Sequence, residues 1–337
     1  MPIKAYAASK AKAPFEPFEF EPVELKHDEV EITVDYCGIC HSDLSMLDNE
    51  WGMTTYPFVG GHEAVGKVSA VGVHVPNLKV GDRAGLGWIS RSCTHCFQCV
   101  GGNQNRCATQ EATIVARHGA FADRVRCHWT WAIQLPDAID MASAGPLFCG
   151  GLTVFNAMVQ NHLKPTSRVG IIGIGGLGHM AIMFADKWGC EVTAFSTRKD
   201  KEEETRGLGA DEFVSDKEPW NNPKLQGKFD LIINTTNAGL NWDGYVAMLA
   251  PGGVLHTVGV VSNPFGVTQV FPLIAGQKSL SGTPLGSPAT SREMIDFCAR
   301  HQIRPMVEEY PLSKINDAFD KLRNGSPRYR LVLKMGA

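Results

Sequence analysis

The chain reads as an α/β protein in two parts: a β-rich, barrel-like part and a doubly wound parallel sheet. Three observations predict this. Up to Pro146 the sequence is built of short alternating segments separated by turn glycines. Beyond Arg168, continuous apolar runs alternate with helical stretches. Between the first of these runs and the first helix lies a glycine-rich turn.

EVEITVDYCGIC alternates as a strand, with Ile32, Val34 and Tyr36 on one face. HEAVGKVSAVGVHV and VGDRAGLGW follow with frequent turn glycines. The texture changes near Pro146. SRVGIIGIGGLGHMAIMFADKWGCEVTAFS then reads strand, glycine turn, helix, strand. FDLIINTT, GGVLHTVGVV and KSLSGTPL supply short apolar strands between helical stretches, as a sheet covered on both faces requires. SREMIDFCARHQ is an amphipathic helix and YRLVLK a closing strand.

The length of 337 residues suits about two domains. A formal net charge of −3 gives no electrostatic case for nucleic acid or anionic lipid as partner. No signal peptide is read at the N-terminus, and no run approaches the roughly 18 apolar residues of a membrane span. Ten cysteines are too sparse for a disulfide scaffold, so they read as metal ligands and buried thiols of a cytoplasmic protein.

Cys93, Cys96, Cys99 and Cys107 lie within CTHCFQCVGGNQNRC. Four thiolates at such spacing close a tetrahedral shell around one Zn²⁺, which leaves no room for substrate and so holds a loop together. A disulfide cluster or a zinc ribbon is the alternative, although a ribbon sets its two CxxC pairs well apart.

Gly173, Gly175 and Gly178 form G-x-G-x-x-G, with Gly176 and Leu177 inside it, directly after the apolar run Val169 to Ile172. The first glycine permits the tight turn, the second admits a pyrophosphate, and the third packs helix on strand, as in a Rossmann domain. The end of the next strand chooses the cofactor. An acid there would bind a ribose hydroxyl and repel a 2′-phosphate. This chain carries Ser196, Thr197, Arg198, Lys199 and Lys201 instead, which predicts NADP(H).

Cys40, His62 with Glu63, and Cys149 are separate candidates for a second metal site. Two cysteines and a histidine would leave Zn²⁺ an open position for Lewis-acid chemistry. Spacing alone does not join them.

GHEAVGKVSAVG, with Cys40 upstream and the four-cysteine lobe downstream, resembles the zinc-dependent medium-chain alcohol dehydrogenases. CGICHSDL, PLFCGGLTVF and GIGGLGHMA are similar to its cinnamyl alcohol dehydrogenase branch, and CHSDLSM, NEWG and the closing YR–V–LK to bacterial NADPH-dependent aldehyde reductases. The resemblance implies a GroES-like catalytic domain over residues 1–148, with a C-terminal return at 286–337, and a Rossmann domain over 149–285. It implies two Zn²⁺ per chain, the catalytic one on Cys40, His62 and Cys149 with Glu63 beside it. Asp43 would orient His62, and Ser42 would pass the proton. His41 and Arg330 would meet the cofactor pyrophosphate, and Thr153 the nicotinamide. Cys37 would stay outside the shell as a buried strand thiol. A homodimer is implied, with Lys278 to Pro284 near its interface.

One departure stands out. Many relatives carry a histidine where this chain has Ser45, and a serine is no base near neutral pH. The reaction implied is reversible hydride transfer between NADP(H) and aldehydes or primary alcohols, mainly reduction of medium-chain and aromatic aldehydes. Trp51, Met53, Leu86 and Trp88 would wall an apolar pocket for them. A cinnamyl-type or polyol dehydrogenase is the alternative substrate reading. A zinc-free quinone reductase would lack both metal sets, and a zinc-ribbon nucleotide-sensing protein would lack the Cys40, His62 and Cys149 set.

Overall fold

The structure is a computed structural model describing residues 1–260, 264–325 and 327–336. Two compact units emerge: Met1–Leu152 with Leu285–Ala337, and Thr153–Pro284. Among the described residues no single helix is long and apolar enough to cross a membrane.

The first unit is built on a seven-stranded mixed sheet whose hub is the strand Glu29–Ile39. It pairs antiparallel with Ala64–Val71, Arg124–His128 and Arg330–Lys334. The ladder continues to Arg83–Leu86 and Ile133–Gln134 on one side and to Val307–Pro311 on the other. Arg124–His128 branches from the hub strand off this path. Of the three residues read on one face of the hub, Ile32 and Val34 are buried and Tyr36 is half-buried. The polar face is not left to water either. Glu29 and Glu31 are buried because Arg91 and Arg126 pair with them at 2.9 and 2.6 Å.

The second unit is a six-stranded parallel sheet. Its order is Glu212–Val214, Glu191–Phe195, Arg168–Ile172, Phe229–Asn234, Leu249–Thr257, Ser279–Gly282. In chain order this is 3-2-1-4-5-6, the doubly wound arrangement whose ligand crevice opens where the order reverses, at the carboxyl end of Arg168–Ile172. The apolar run GGVLHTVGVV forms most of one strand; its last residue, Val261, lies outside the described residues. Within KSLSGTPL the strand is Ser279–Gly282, at the sheet edge.

Candidate metal centre and dinucleotide loop

Strand register assembles the first site. Cys37 pairs with Ala64, and Ile39 with Leu331. Glu63 therefore falls opposite Gly38, whose N–H donates to the Glu63 carbonyl at 3.0 Å, and Cys40 falls beside Arg330. Cys40 then caps the helix His41–Leu47. The Asp43 carboxylate reaches back to accept from the Cys40 N–H at 2.9 Å, a reciprocal cap.

The other oxygen of Asp43 accepts from the Gly61 N–H at 2.8 Å and lies 3.0 Å from His62 Nδ1. An ionised carboxylate only accepts, so Nδ1 carries the proton and Nε2 keeps its lone pair for a metal. That Nε2 lies 3.3 Å from Cys149 Sγ, which is 3.7 Å from Cys40 Sγ. Cys149 arrives here because Gly145 has no side chain. A Cβ at Gly145 would stand 2.6 Å from the Glu63 carbonyl oxygen and 3.0 Å from the Gly38 nitrogen.

Donor atoms of Cys40, His62, Glu63 and Cys149 all lie within 4.8 Å of one another. The Glu63 carboxylate accepts from the Arg330 guanidinium through Oε1, while Oε2 is buried without a hydrogen-bond partner. A Cβ at Gly38 would fall 1.9 Å from that orphaned oxygen. Two thiols and one oriented imidazole fit Zn²⁺ with an open position, and a spare buried carboxylate oxygen lies beside them. Hydrogen bonding to Cys149 holds the Cys40 thiol well below its usual range, against desolvation and with help from His62 and Arg330. Burial lifts Glu63 to about 7, although the Arg330 charge opposes it.

Arg330, expected at a cofactor pyrophosphate, is buried, and its strand register brings one guanidinium nitrogen to Glu63 and to the Ile39 carbonyl, while Nε has no partner. The two partners are 267 residues apart in sequence, and no spacing signal announces the pair. Cys37 is fully buried in its strand and stands outside the donor set. Ser42 is half-buried, its hydroxyl 3.8 Å from Cys40 Sγ, and His41 is exposed.

Trp88 packs its ring edge-on to His62, with centroids 5.0 Å apart. With Met53, Ala112 and Val115 it walls a pocket of about 560 Å³, which the Glu111–Arg117 ion pair also lines. Trp51 rests against Trp88. Leu86 does not line the pocket: it pairs with Ala64 in the sheet and is fully buried in the core.

In the lobe, the sulfurs of Cys93, Cys96, Cys99 and Cys107 again lie within 4.8 Å of one another. No disulfide links any of the ten cysteines. Backbone N–H groups of Cys93 and Cys96 point at the sulfurs of Cys107 and Cys93, at 3.5 and 3.3 Å. Such a sulfur-only cage fits a closed Zn²⁺ shell.

In the second unit, Gly173 turns at φ +87°, and a Cβ at Gly178 would stand 1.8 Å from the Gly173 carbonyl oxygen. Gly175 has nothing within 4 Å of its Cβ position, which leaves open space above the loop. The helix Gly178–Trp188 that follows has no side-chain cap, so its first N–H groups suit a pyrophosphate. The buried His179 donates from Nδ1 to the Gly175 carbonyl at 3.0 Å and fastens the loop; the sequence reading passed over this residue. Beyond Glu191–Phe195, Ser196 is half-buried and Thr197, Arg198 and Lys199 are exposed. Arg198 pairs with Asp200 at 2.6 Å. Lys201 donates to the Ile174 carbonyl beside the loop, and burial, then the like charge of Arg198, depress its pKa. Thr153, half-buried, is the first residue of this unit.

Residues 26–137 match the alcohol dehydrogenase GroES-like domain, and residues 176–300 the zinc-binding dehydrogenase family. The aldehyde reductase AdhA of Synechocystis sp. is 51% identical over 98% of both chains. A cinnamyl alcohol dehydrogenase from Sorghum bicolor superposes with a TM-score of 0.92 at 34% identity, covering 99% of this chain and 98% of that one. A CAD from Helicobacter pylori complexed with NADP(H) superposes at 0.90 with 27% identity, covering 99% of each. The GroES-like and Rossmann folds, the two donor sets and these matches agree: the chain belongs to the zinc-dependent medium-chain alcohol dehydrogenases and is an alcohol–aldehyde oxidoreductase.

Proposed function

We propose that the chain reduces medium-chain and aromatic aldehydes with NADPH in the cytoplasm. One observation carries this reading: an oriented Cys₂His donor set that shares Trp88 with an apolar pocket. Cys40, His62 and Cys149 would hold the catalytic Zn²⁺ with Glu63 at its edge, and the four-cysteine lobe the structural one. When bound, Zn²⁺ supplies polarisation of the carbonyl and the nicotinamide supplies the hydride.

The protein's own part is placement and proton handling. Asp43 fixes the His62 tautomer. Trp88 and Met53 exclude water and orient an apolar aldehyde. Ser42 gives its hydroxyl proton to the substrate oxygen. The glycine loop takes the pyrophosphate, and Ser196, Thr197, Arg198 and Lys201 take the 2′-phosphate. An apolar wall discriminates weakly, at about 1–3 kcal/mol per methylene, so a broad aldehyde range follows. The edge strand Ser279–Gly282 and the exposed Phe271 and Ile274 support a homodimer.

The test is NADPH or NADH consumption with benzaldehyde, cinnamaldehyde and hexanal on metal-quantified protein. Turnover with NADPH and two zincs per chain is expected. Preference for NADH would overturn the 2′-phosphate assignment, and no turnover with either cofactor would overturn the aldehyde reading.

A further inference from the structure

The helix His41–Leu47 carries two serines three residues apart, Ser42 and Ser45. That spacing sets side chains on one helix face, with Cβ atoms about 5–6 Å apart, a gap that one bridging hydroxyl or water spans. Ser45 is buried, at 4% exposure. Its hydroxyl donates to Glu50 Oε2 at 2.7 Å, and the Glu50 N–H donates to the Ser45 carbonyl at 2.9 Å. Glu50 itself is exposed. A buried hydroxyl behind Ser42 is therefore joined to a carboxylate that stands in water.

The surroundings of Glu50 are charged. Asp48 accepts a two-pronged bond from Arg323 at 2.5 and 2.6 Å. Arg323 also feels the charges of Asp320 and Glu50. Tyr56, which donates to the Leu47 carbonyl, lies near Asp48, and His41 is exposed on the serine helix itself.

We propose that Glu50, acting through Ser45, is the outer end of the proton path serving Ser42. This rests on the aldehyde-reduction reading above. Reduction takes up one proton per aldehyde. The substrate oxygen takes the Ser42 hydroxyl proton, and Ser42 regains one from the bridging hydroxyl or water. That bridge is resupplied by the Ser45 hydroxyl, Ser45 by the Glu50 carboxylic acid, and Glu50 by bulk water. Alcohol oxidation runs the same chain in reverse. A serine hydroxyl is neither acid nor base near neutral pH, whereas a carboxyl can serve as the acid and base of a relay.

The experiment compares wild type, Glu50→Gln, Glu50→Asp and Ser45→Ala holoenzymes in aldehyde reduction from about pH 5 to pH 9. NADPH Kd by fluorescence titration, zinc content and Tm are read alongside. Glu50→Gln is expected to lower kcat roughly tenfold at neutral pH, to change the shape of the pH profile and to raise the solvent isotope effect. The aldehyde KM, NADPH Kd, zinc content and Tm should hold. Glu50→Asp should restore most of kcat, Ser45→Ala should match Glu50→Gln, and the double variant should be no worse than either. A wild-type kcat and pH profile in Glu50→Gln would overturn the proposal. So would a loss that tracks Tm or NADPH Kd and is not rescued by Asp, which would make Glu50 a structural brace for Ser45 only. Failure of the wild type itself to turn over any aldehyde would instead remove the functional reading and this path with it.

Discussion

Asp43 and His62 form one buried unit: the carboxylate oxygen lies 3.0 Å from Nδ1 of the imidazole, and neither side chain touches solvent. The same carboxylate holds the N–H groups of Cys40 and Gly61, so it fixes both a ligand's ring and the backbone that delivers two ligands. Asp43→Asn keeps the shape but loses the charge that favours the Nδ1–H tautomer. Zinc affinity at this site should fall roughly 10- to 100-fold, as measured by competition with a chromogenic chelator. The four-cysteine site should keep its zinc, so the loss should stop at one metal per chain.

Gly38 and Arg330 approach Glu63 from two sides. Gly38→Ala would drive a Cβ to 1.9 Å from Oε2, so either the carboxylate or the strand must shift. The cost should be about 1–3 kcal/mol in urea unfolding. Arg330→Met should cost more, about 3–5 kcal/mol, because it strands a buried carboxylate without its cation. If Arg330 acted only on the cofactor, this variant would raise the NADPH Kd and leave the unfolding midpoint alone.

His256 gives the second unit an acid limit. Its Nδ1 faces the Asn161 amide nitrogen at 3.0 Å and the Ser281 hydroxyl at 2.8 Å, and its Nε2 faces Thr283 Oγ1 at 3.1 Å. The amide donates, so Nδ1 accepts and the ring is neutral. Burial depresses its pKa to about 4 from the ordinary 6.5. Between those values the unfolded chain binds a proton that the folded chain refuses. Stability is therefore full above about pH 6.5 and falls by about 3 kcal/mol as pH drops to 4. Unfolding curves across that range should show the slope, and His256→Gln should flatten it.

Legibility in the sequence followed the range of each interaction. The glycine loop was readable because its glycines, strand and helix are consecutive, and the four-cysteine lobe because its ligands span one short segment. Residues 40, 62 and 149 were joined only by resemblance, since what unites them is antiparallel register and the bare backbone of Gly145. The Glu63–Arg330 pair, the Ser45–Glu50 bond and the burial of Leu86 depend on which way side chains point after pairing. No one-dimensional pattern carries that information.

The proposed NADPH preference rests on the turn after Glu191–Phe195, whose members should not contribute equally. Ser196→Asp places a carboxylate where it would accept a hydrogen bond from a ribose 2′-hydroxyl and repel a 2′-phosphate. NADPH kcat/KM should fall at least about tenfold while that for NADH rises. Arg198 spends its charge on Asp200 and is exposed, so Arg198→Ala should weaken NADPH binding only modestly and less at high salt. Lys201 is better placed. It is half-buried, bonded to the Ile174 carbonyl at the root of the glycine loop, and strained by the like charge of Arg198, which a phosphate would relieve. Lys201→Ala should therefore raise the NADPH Kd more than Arg198→Ala does, with little change in the NADH Kd. Equal losses for both cofactors would mean that Lys201 braces the loop rather than reading the phosphate.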